Sequence, residues 1–423
     1  MNTSAPPFVE TVPWDQLQHA YGPASDVPGL LKQIATAKGG KLAGPMDELC
    51  SRVLHQGTIY SASPPVAHVF LDLLAEAAMP EKLAFYHMLN GFAEASRRAL
   101  KDGRAIPCCA GGDPVDGAAI RDEIFKARDR FAADLRSAAP EIRAQAAELL
   151  TAFPEAGSSA AELATGRYLV ESDPSVRHAL LIGLNRLRAS VDDWRGFLAT
   201  AVGREDDPAN RFLLRAAQIE ELKSAADAAM VGEFVSAFVA TSEAAELYVE
   251  GGDLFFQAAQ SLGEEREVET LLLALNLAVE HNLLLTIAER LLRVVFDDER
   301  TGWENTGYSI LNEDGSEPQR PGMTGMVVRA IGMLIVMKLF PFYIRWKLRR
   351  KAGSKPKGMP KVDYWQLQGD APLIPPRLTS AQQTALTALA AKPELWRLRT
   401  NLWQLFGLPA APEELRLFVA DRS

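Results

Sequence analysis

Cysteine and histidine are scarce in this chain. Three cysteines, Cys50, Cys108 and Cys109, stand among 423 residues, too few for a disulfide framework, and the adjacent pair is poorly placed to bridge itself. Reduced thiols in a reducing compartment are the expectation. The six histidines form no HxxxH pair and the cysteines no CxxC, so the close ligand pairs that zinc sites use are missing and no metal or cofactor is expected. No catalytic constellation stands out, which predicts a non-enzyme. A basic leader is also lacking: Met1 to Pro7 contain no Lys or Arg and run into acidic and polar sequence, the pattern of a cytoplasmic protein.

What the chain does have is apolar content and an uneven charge. At 48% hydrophobic it has material for a large core, in two or three domains or one elongated array. Its net charge is −9, yet Pro318 to Val362 hold eleven Lys/Arg and no Asp/Glu, so the rest of the chain carries −20. An acidic body with one basic segment suits an anionic partner or pairing of its own two surfaces.

The strongest pattern is a period. Pro140 to Arg143, Pro174 to Arg177 and Pro208 to Arg211 each read Pro-x-x-Arg, lie 34 residues apart and open apolar runs. A fixed period of this length signals a solenoid, because one helical hairpin cannot bury its own apolar face and copies must stack. The second copy is clear, with Val176, Leu180, Leu184 and Leu187 as its buried stripe. The third is weaker, since Asn210 and Gln218 fall where the earlier copies are apolar.

Around this core, Trp14 to Ala20 and Val27 to Thr36 read as short helices of an N-terminal cap (1–60), with Asp26 as N-cap and Pro28 just inside. Met46 to Leu54 gives another short helix, which His55 to Thr58 break. A hairpin follows from Pro64 and from Glu81 to Leu100. Lys101 to Gly117 is a Gly/Pro-rich loop, and Ala118 to Ala138 is a helix. Four more helices lie between Ala225 and Phe296, so the solenoid spans 61–300 with its clearest copies at 140–240. The C-terminal region, 301–423, holds a Gly/Pro/Asn-rich loop from Asp297 to Met323, the apolar and basic insertion 318–362, and a terminal helical module, 378–423, with helices over Leu378 to Ala391, Pro393 to Phe406 and Pro412 to Ala420.

These residues carry a resemblance. Trp14 to Pro28 and Leu54 to Pro64, the repeats at Ile142 to Glu155 and Asp173 to Leu187, and the module at Leu378 to Leu389 and Asn401 to Pro409 are similar to the bacterial HEAT-repeat proteins, in the branch with HEAT-like repeats of the phycobilin-lyase type. The resemblance implies an all-α fold, an α-solenoid of stacked HEAT-like hairpins with a helical C-terminal module. For function it implies scaffolding or inhibition of partner proteins, with nucleic-acid binding in some members.

Candidate sites follow. Arg143, Arg177 and Arg211 would stack in a row, either as a cationic stripe or as a structural ladder bonded to carbonyls or to an acid such as Asp173 or Asp207. Trp14, His19, Tyr21, His55 and Tyr60 sit in the two N-terminal motifs, as a ligand site or as caps covering the end of the core. Cys108-Cys109 has no neighbouring His or Lys to activate it.

Gly325 to Ile344 has the length of a membrane span, but Arg329 and Lys338 inside it would each cost at least ~2.5 kcal/mol. A peripheral segment suits better, with Arg345, Lys347, Arg349, Arg350 and Lys351 gripping an anionic membrane, nucleic acid or an acidic protein. A buried helix followed by a solvated basic linker is the plain alternative. The expected function is binding of another protein, as an adaptor or antitoxin-like inhibitor; a HEAT-like nucleic-acid or base-repair protein and a peripheral membrane adaptor are the alternatives.

Overall fold

The computed structural model describes residues 7–37, 41–79, 81–102, 117–245, 250–296, 303–304, 362–363, 366–367, 374–397, 399–400 and 402–423. These residues are overwhelmingly helical and the chain is all-α. It divides into two compact units, Met1–Leu222 and Lys223–Ser423, so the division falls inside the stretch expected as one array (61–300). Lys223, with φ of 53°, starts the second unit in the left-handed region, where a helix cannot continue.

In the first unit the helices are α1 (Val27–Thr36), α2 (Ala43–Val53), α3 (Ser63–Glu76), α4 (Glu81–Asp102), α5 (Ala118–Lys126), α6 (Arg128–Asp134), α7 (Pro140–Leu150), α8 (Gly157–Tyr168), α9 (Pro174–Arg186), α10 (Trp194–Val202) and α11 (Pro208–Leu222). Proline sets several of the starts: it occupies the first turn of α1, α3, α7 and α9 and opens α11, where a missing N–H breaks no helical bond. Asp173 completes the start of α9 by accepting the amides of Ser175 and Val176 at 2.9 and 3.2 Å.

The 34-residue spacing is a packing repeat. α7, α9 and α11 pack in series, while α8 lies against α9 and α10 against α11; upstream, α3 pairs with α4 and α4 packs on α7. Val176, Leu180, Leu184 and Leu187 are all buried, each contributing about 1.5–3 kcal/mol, and the core runs without interruption from Val9 to Ala217. α7 and α9 approach closely because Gly183 offers no Cβ; one built there would collide with the Thr151 hydroxyl. Asn210 is fully buried, yet its amide donates to the Pro174 carbonyl at 3.0 Å and its oxygen meets His178 Nδ1 at 3.0 Å. The third copy thus replaces an apolar contact with a polar clamp on the second.

Three local expectations are corrected. Trp14 to Ala20 is not a helix: a 3-10 turn at Trp14–Gln16 leads into a two-residue antiparallel pairing of Gln18–His19 (β1) with Gly22–Pro23 (β2), because Gly22, with φ of +126°, and Pro23 favour a tight reversal. Asp26 precedes α1 but makes no side-chain cap there, since its carboxylate is held by His19 and Arg52. The helix expected from Ala118 to Ala138 breaks at Ala127 into α5 and α6.

The second unit contains α12 (Ala228–Ala245), α13 (Glu250–Ser261), α14 (Glu264–Leu277), α15 (His281–Val295), α16 (Ser380–Ala391), α17 (Pro393–Trp396), α18 (Leu402–Leu405) and α19 (Pro412–Asp421). α14 is central, touching α12, α13, α15 and α16, and α16 packs on α19. Phe238 and Phe255 stack with centroids 3.9 Å apart. Thr379 and Gln382 form a reciprocal capping box on α16, and Gln382 also donates to the Val295 carbonyl at 2.9 Å, tying α16 to the end of α15.

The helix expected over Pro393 to Phe406 is interrupted. Trp396 and Trp403 stack at 4.3 Å, whereas seven residues of straight helix would set them about 10 Å apart along the axis. Short pairings join Trp303–Glu304 to Gln366–Leu367 and Val362–Asp363 to Arg399–Thr400. Among the described residues no helix is long and apolar enough to cross a membrane. The stretch Gly325 to Lys361, with Arg345, Lys347, Arg349, Arg350 and Lys351, lies outside the described residues, as do Cys108 and Cys109.

Candidate functional site

Of the residues singled out by pattern, the arginines of the repeat are bound into the structure. Arg143 grips Glu171 with two parallel bonds, Nε to Oε2 and Nη2 to Oε1, both 2.8 Å, and its third nitrogen donates to the Ser137 and Ala138 carbonyls. One repeat on, Arg177 repeats the fork on Glu205 at 2.9 and 2.8 Å and donates to the Ser172 carbonyl. Each guanidinium therefore staples its own helix start to the acid 28 residues later, with the planar bidentate geometry that makes Arg–carboxylate pairs strong.

The acids are Glu171 and Glu205 rather than Asp173 and Asp207. Asp173 serves the amides of its own helix, and Asp207 Oδ1 likewise accepts the Asn210 amide at 3.0 Å. Arg211 is half-buried, and the position 28 residues beyond it is Val239, where the first two copies have Glu171 and Glu205.

Glu171 shows what this environment does to a carboxylate. Its side chain is fully buried, and burial alone would raise its pKa; the bonds from Arg143, the Asp173 amide and Arg167 overcome that and hold it at about 2, below its ordinary 4.5. Glu205 is lowered for the same reasons, with burial opposed by Arg177, the Asp207 amide and the Tyr168 hydroxyl. Tyr168, which donates to Glu205 at 2.9 Å, is pushed up by burial and by that neighbouring charge. Tyr86 follows the same rule, its hydroxyl donating at 2.7 Å to Asp134, which Lys82 also holds at 2.7 Å. These groups act as fasteners between helices.

The N-terminal motif residues fall into two sets. Trp14 and Tyr60 belong to the core; the Trp14 indole donates to the Val9 carbonyl at 2.8 Å and the Tyr60 amide donates to Ser63 Oγ. The buried His19, the exposed Tyr21 and the half-buried His55 come together. The Tyr21 amide donates to His19 Nδ1 at 3.0 Å, His19 Nε2 meets Asp26 at 2.9 Å, Arg52 Nε holds the other Asp26 oxygen at 2.7 Å, and the Tyr21 hydroxyl reaches His55 Nδ1 at 3.3 Å. Burial would raise the Asp26 pKa, but Arg52 and His19 lower it overall. Among the described residues no three His, Cys, Asp or Glu side chains converge as a metal centre requires.

One feature escaped the pattern reading: a cleft of about 170 Å3 between α5, α6, α7 and α8. Ile124, Phe125, Phe131, Leu149 and Leu163 line it together with the charged Arg128, Asp129 and Glu155. Leu163 is 39% exposed, outside the buried stripe of Ala160, Ala161 and Ala164 on α8. That misplaced leucine is the signal the sequence held. The cleft is open to solvent and has the volume of one large apolar side chain, near that of cavities that accept a benzene ring.

No protein-family model matches the chain, and neither the curated proteins nor the solved structures contain a match to it.

Proposed function

We propose that this chain is a non-enzymatic helical-repeat binding protein whose hairpins stack as an α-solenoid of the HEAT type and whose partner is another protein. The observation that carries the reading is the recurrence, 34 residues apart, of one Arg–Glu staple across serially packed helices. Repeats of that kind present extended surface rather than an enclosed reaction chamber. The cleft beside α8 supports it, since a solvent-open pocket lined by both apolar and charged side chains, with Leu163 exposed at it, can take a partner's anchor side chain. An adaptor or an antitoxin-like inhibitor both fit this class.

The test is affinity purification of the tagged wild type and of Leu163→Asp from native lysate, treated with nuclease and washed with salt. A stoichiometric protein retained by the wild type and lost by the variant supports the reading. Recovery of nucleic acid or lipid alone overturns it. A second reading rests on the eleven Lys/Arg between Pro318 and Val362: binding to duplex nucleic acid or anionic vesicles that falls steeply with salt and is lost in Arg349→Glu/Arg350→Glu would favour it.

A further inference from the structure

The His19 cluster carries a consequence for how the N-terminal turn responds to protons. The Tyr21 backbone amide donates to His19 Nδ1 at 3.0 Å. A ring nitrogen that accepts from an N–H holds a lone pair, so the ring proton sits on Nε2, where it is donated to Asp26 Oδ1 at 2.9 Å. Both nitrogens of this buried ring are thereby committed, one to a carboxylate and one to the peptide two residues ahead.

We propose that His19 is a proton-operated latch on the Tyr21 turn, closed by the neutral imidazole and opened by the imidazolium. A second proton can only enter at Nδ1, where it confronts the Tyr21 N–H and turns an attraction into a repulsion. The charged ring does not leave, because Asp26 holds its other side and Arg52 holds Asp26 from α2, with Glu48 on Arg52 in turn. The flanking chain is anchored as well, through the Gln18 amide on Ser61 Oγ at 2.7 Å and the Ala20 amide on the Arg52 carbonyl at 2.9 Å.

What yields is the Tyr21 peptide. Tyr21 is 63% exposed and lies at the tip of the reversal, between the paired His19 and Gly22. The remaining titratable neighbour, His55, meets the Tyr21 side chain, through its hydroxyl at 3.3 Å and edge-on against its ring at 5.5 Å, and not its peptide amide. Because a phenol both donates and accepts, that contact survives protonation of His55. The release therefore belongs to His19, and acid loosens the Tyr21 peptide on an otherwise fixed scaffold.

Selective 15N labelling of tyrosine and histidine in the full chain, followed by NMR from about pH 8 to about pH 5, the range in which imidazoles charge, tests this. The expected result is an Nε2–H tautomer for His19 at the alkaline end, a Tyr21 amide signal that moves on the His19 titration curve, and Tyr21 amide exchange that accelerates about fivefold to tenfold beyond its intrinsic pH dependence, as loss of one hydrogen bond implies. His19→Gln, which keeps a donor and an acceptor without a titration, should leave the Tyr21 amide with only its intrinsic pH dependence. An Nδ1–H tautomer, a His19 that never charges in this range, or a Tyr21 amide that stays still or follows His55 instead would each overturn the latch; His55→Gln separates the two curves.

Discussion

Replacing Glu171 by Gln tests the staple where its energetics are sharpest. The carboxylate is fully buried, accepts Arg143 through two bonds of 2.8 Å and Arg167 Nε at 2.9 Å, and takes the amides of Ser172 and Asp173 at 3.0 Å. Its pKa is held at about 2 against an ordinary 4.5, which corresponds to on the order of 3 kcal/mol of stability. Breaking a buried pair from one side costs about 3–5 kcal/mol by a separate route, because the partner charge is stranded, and Arg143, with a side chain only 10% exposed, would be stranded here.

The sign follows from a depressed carboxylate: the contribution is complete above pH 4.5 and is lost as pH falls toward 2. Urea unfolding of the first unit should therefore show Glu171→Gln destabilised by about 3 kcal/mol at pH 7 and by less than half of that at pH 3, where the wild type is itself losing the advantage. A penalty below about 1 kcal/mol at pH 7, or one that does not shrink on acidification, would refute the claim that this charge fastens the repeats.

Two further substitutions probe the joints between copies. Gly183→Ala would force its new methyl against Thr151 and should cost about 1–3 kcal/mol, part of it recovered by Thr151→Ala; a neutral Gly183→Ala in thermal or urea unfolding would mean that α7 and α9 do not meet so closely. Asn210→Val restores the apolar residue found at Val176, yet it should destabilise by about 1–3 kcal/mol, because His178 and the Pro174 carbonyl lose their partner. A gain in stability would show that the amide is tolerated rather than required.

Much of the fold was legible because its signals are local. A proline in the first turn and a stripe such as Val176, Leu180 and Leu184 depend only on near neighbours, so α7, α9 and α11 and their spacing could be read from composition and period. Partner choice was not legible, since it depends on which of several carboxylates is free to turn. Asp173 lay nearer in register to the staple, but its oxygen serves the Ser175 and Val176 amides, which leaves Glu171 to Arg143. Asp26 looks like an N-cap for α1, but its carboxylate is turned to Arg52 from 26 residues away and to His19 from seven, and makes no side-chain cap at the helix start.

The same competition replaces the helix expected at the N-terminal motif and divides its residues, Trp14 and Tyr60 going to the core. His19, Tyr21 and His55 converge because the Gly22 reversal lets the Tyr21 peptide reach back to the imidazole, a bond that helical geometry would forbid. Leu163 makes the complementary point, for a leucine one position from Ala164 looks like core until the helices opposite are placed and it is found at the lip of a cleft. Where a residue's role is fixed by its own turn of chain, sequence suffices; where two groups compete for one partner, only the packed structure decides, and the staple, the latch and the cleft all lie on that second side.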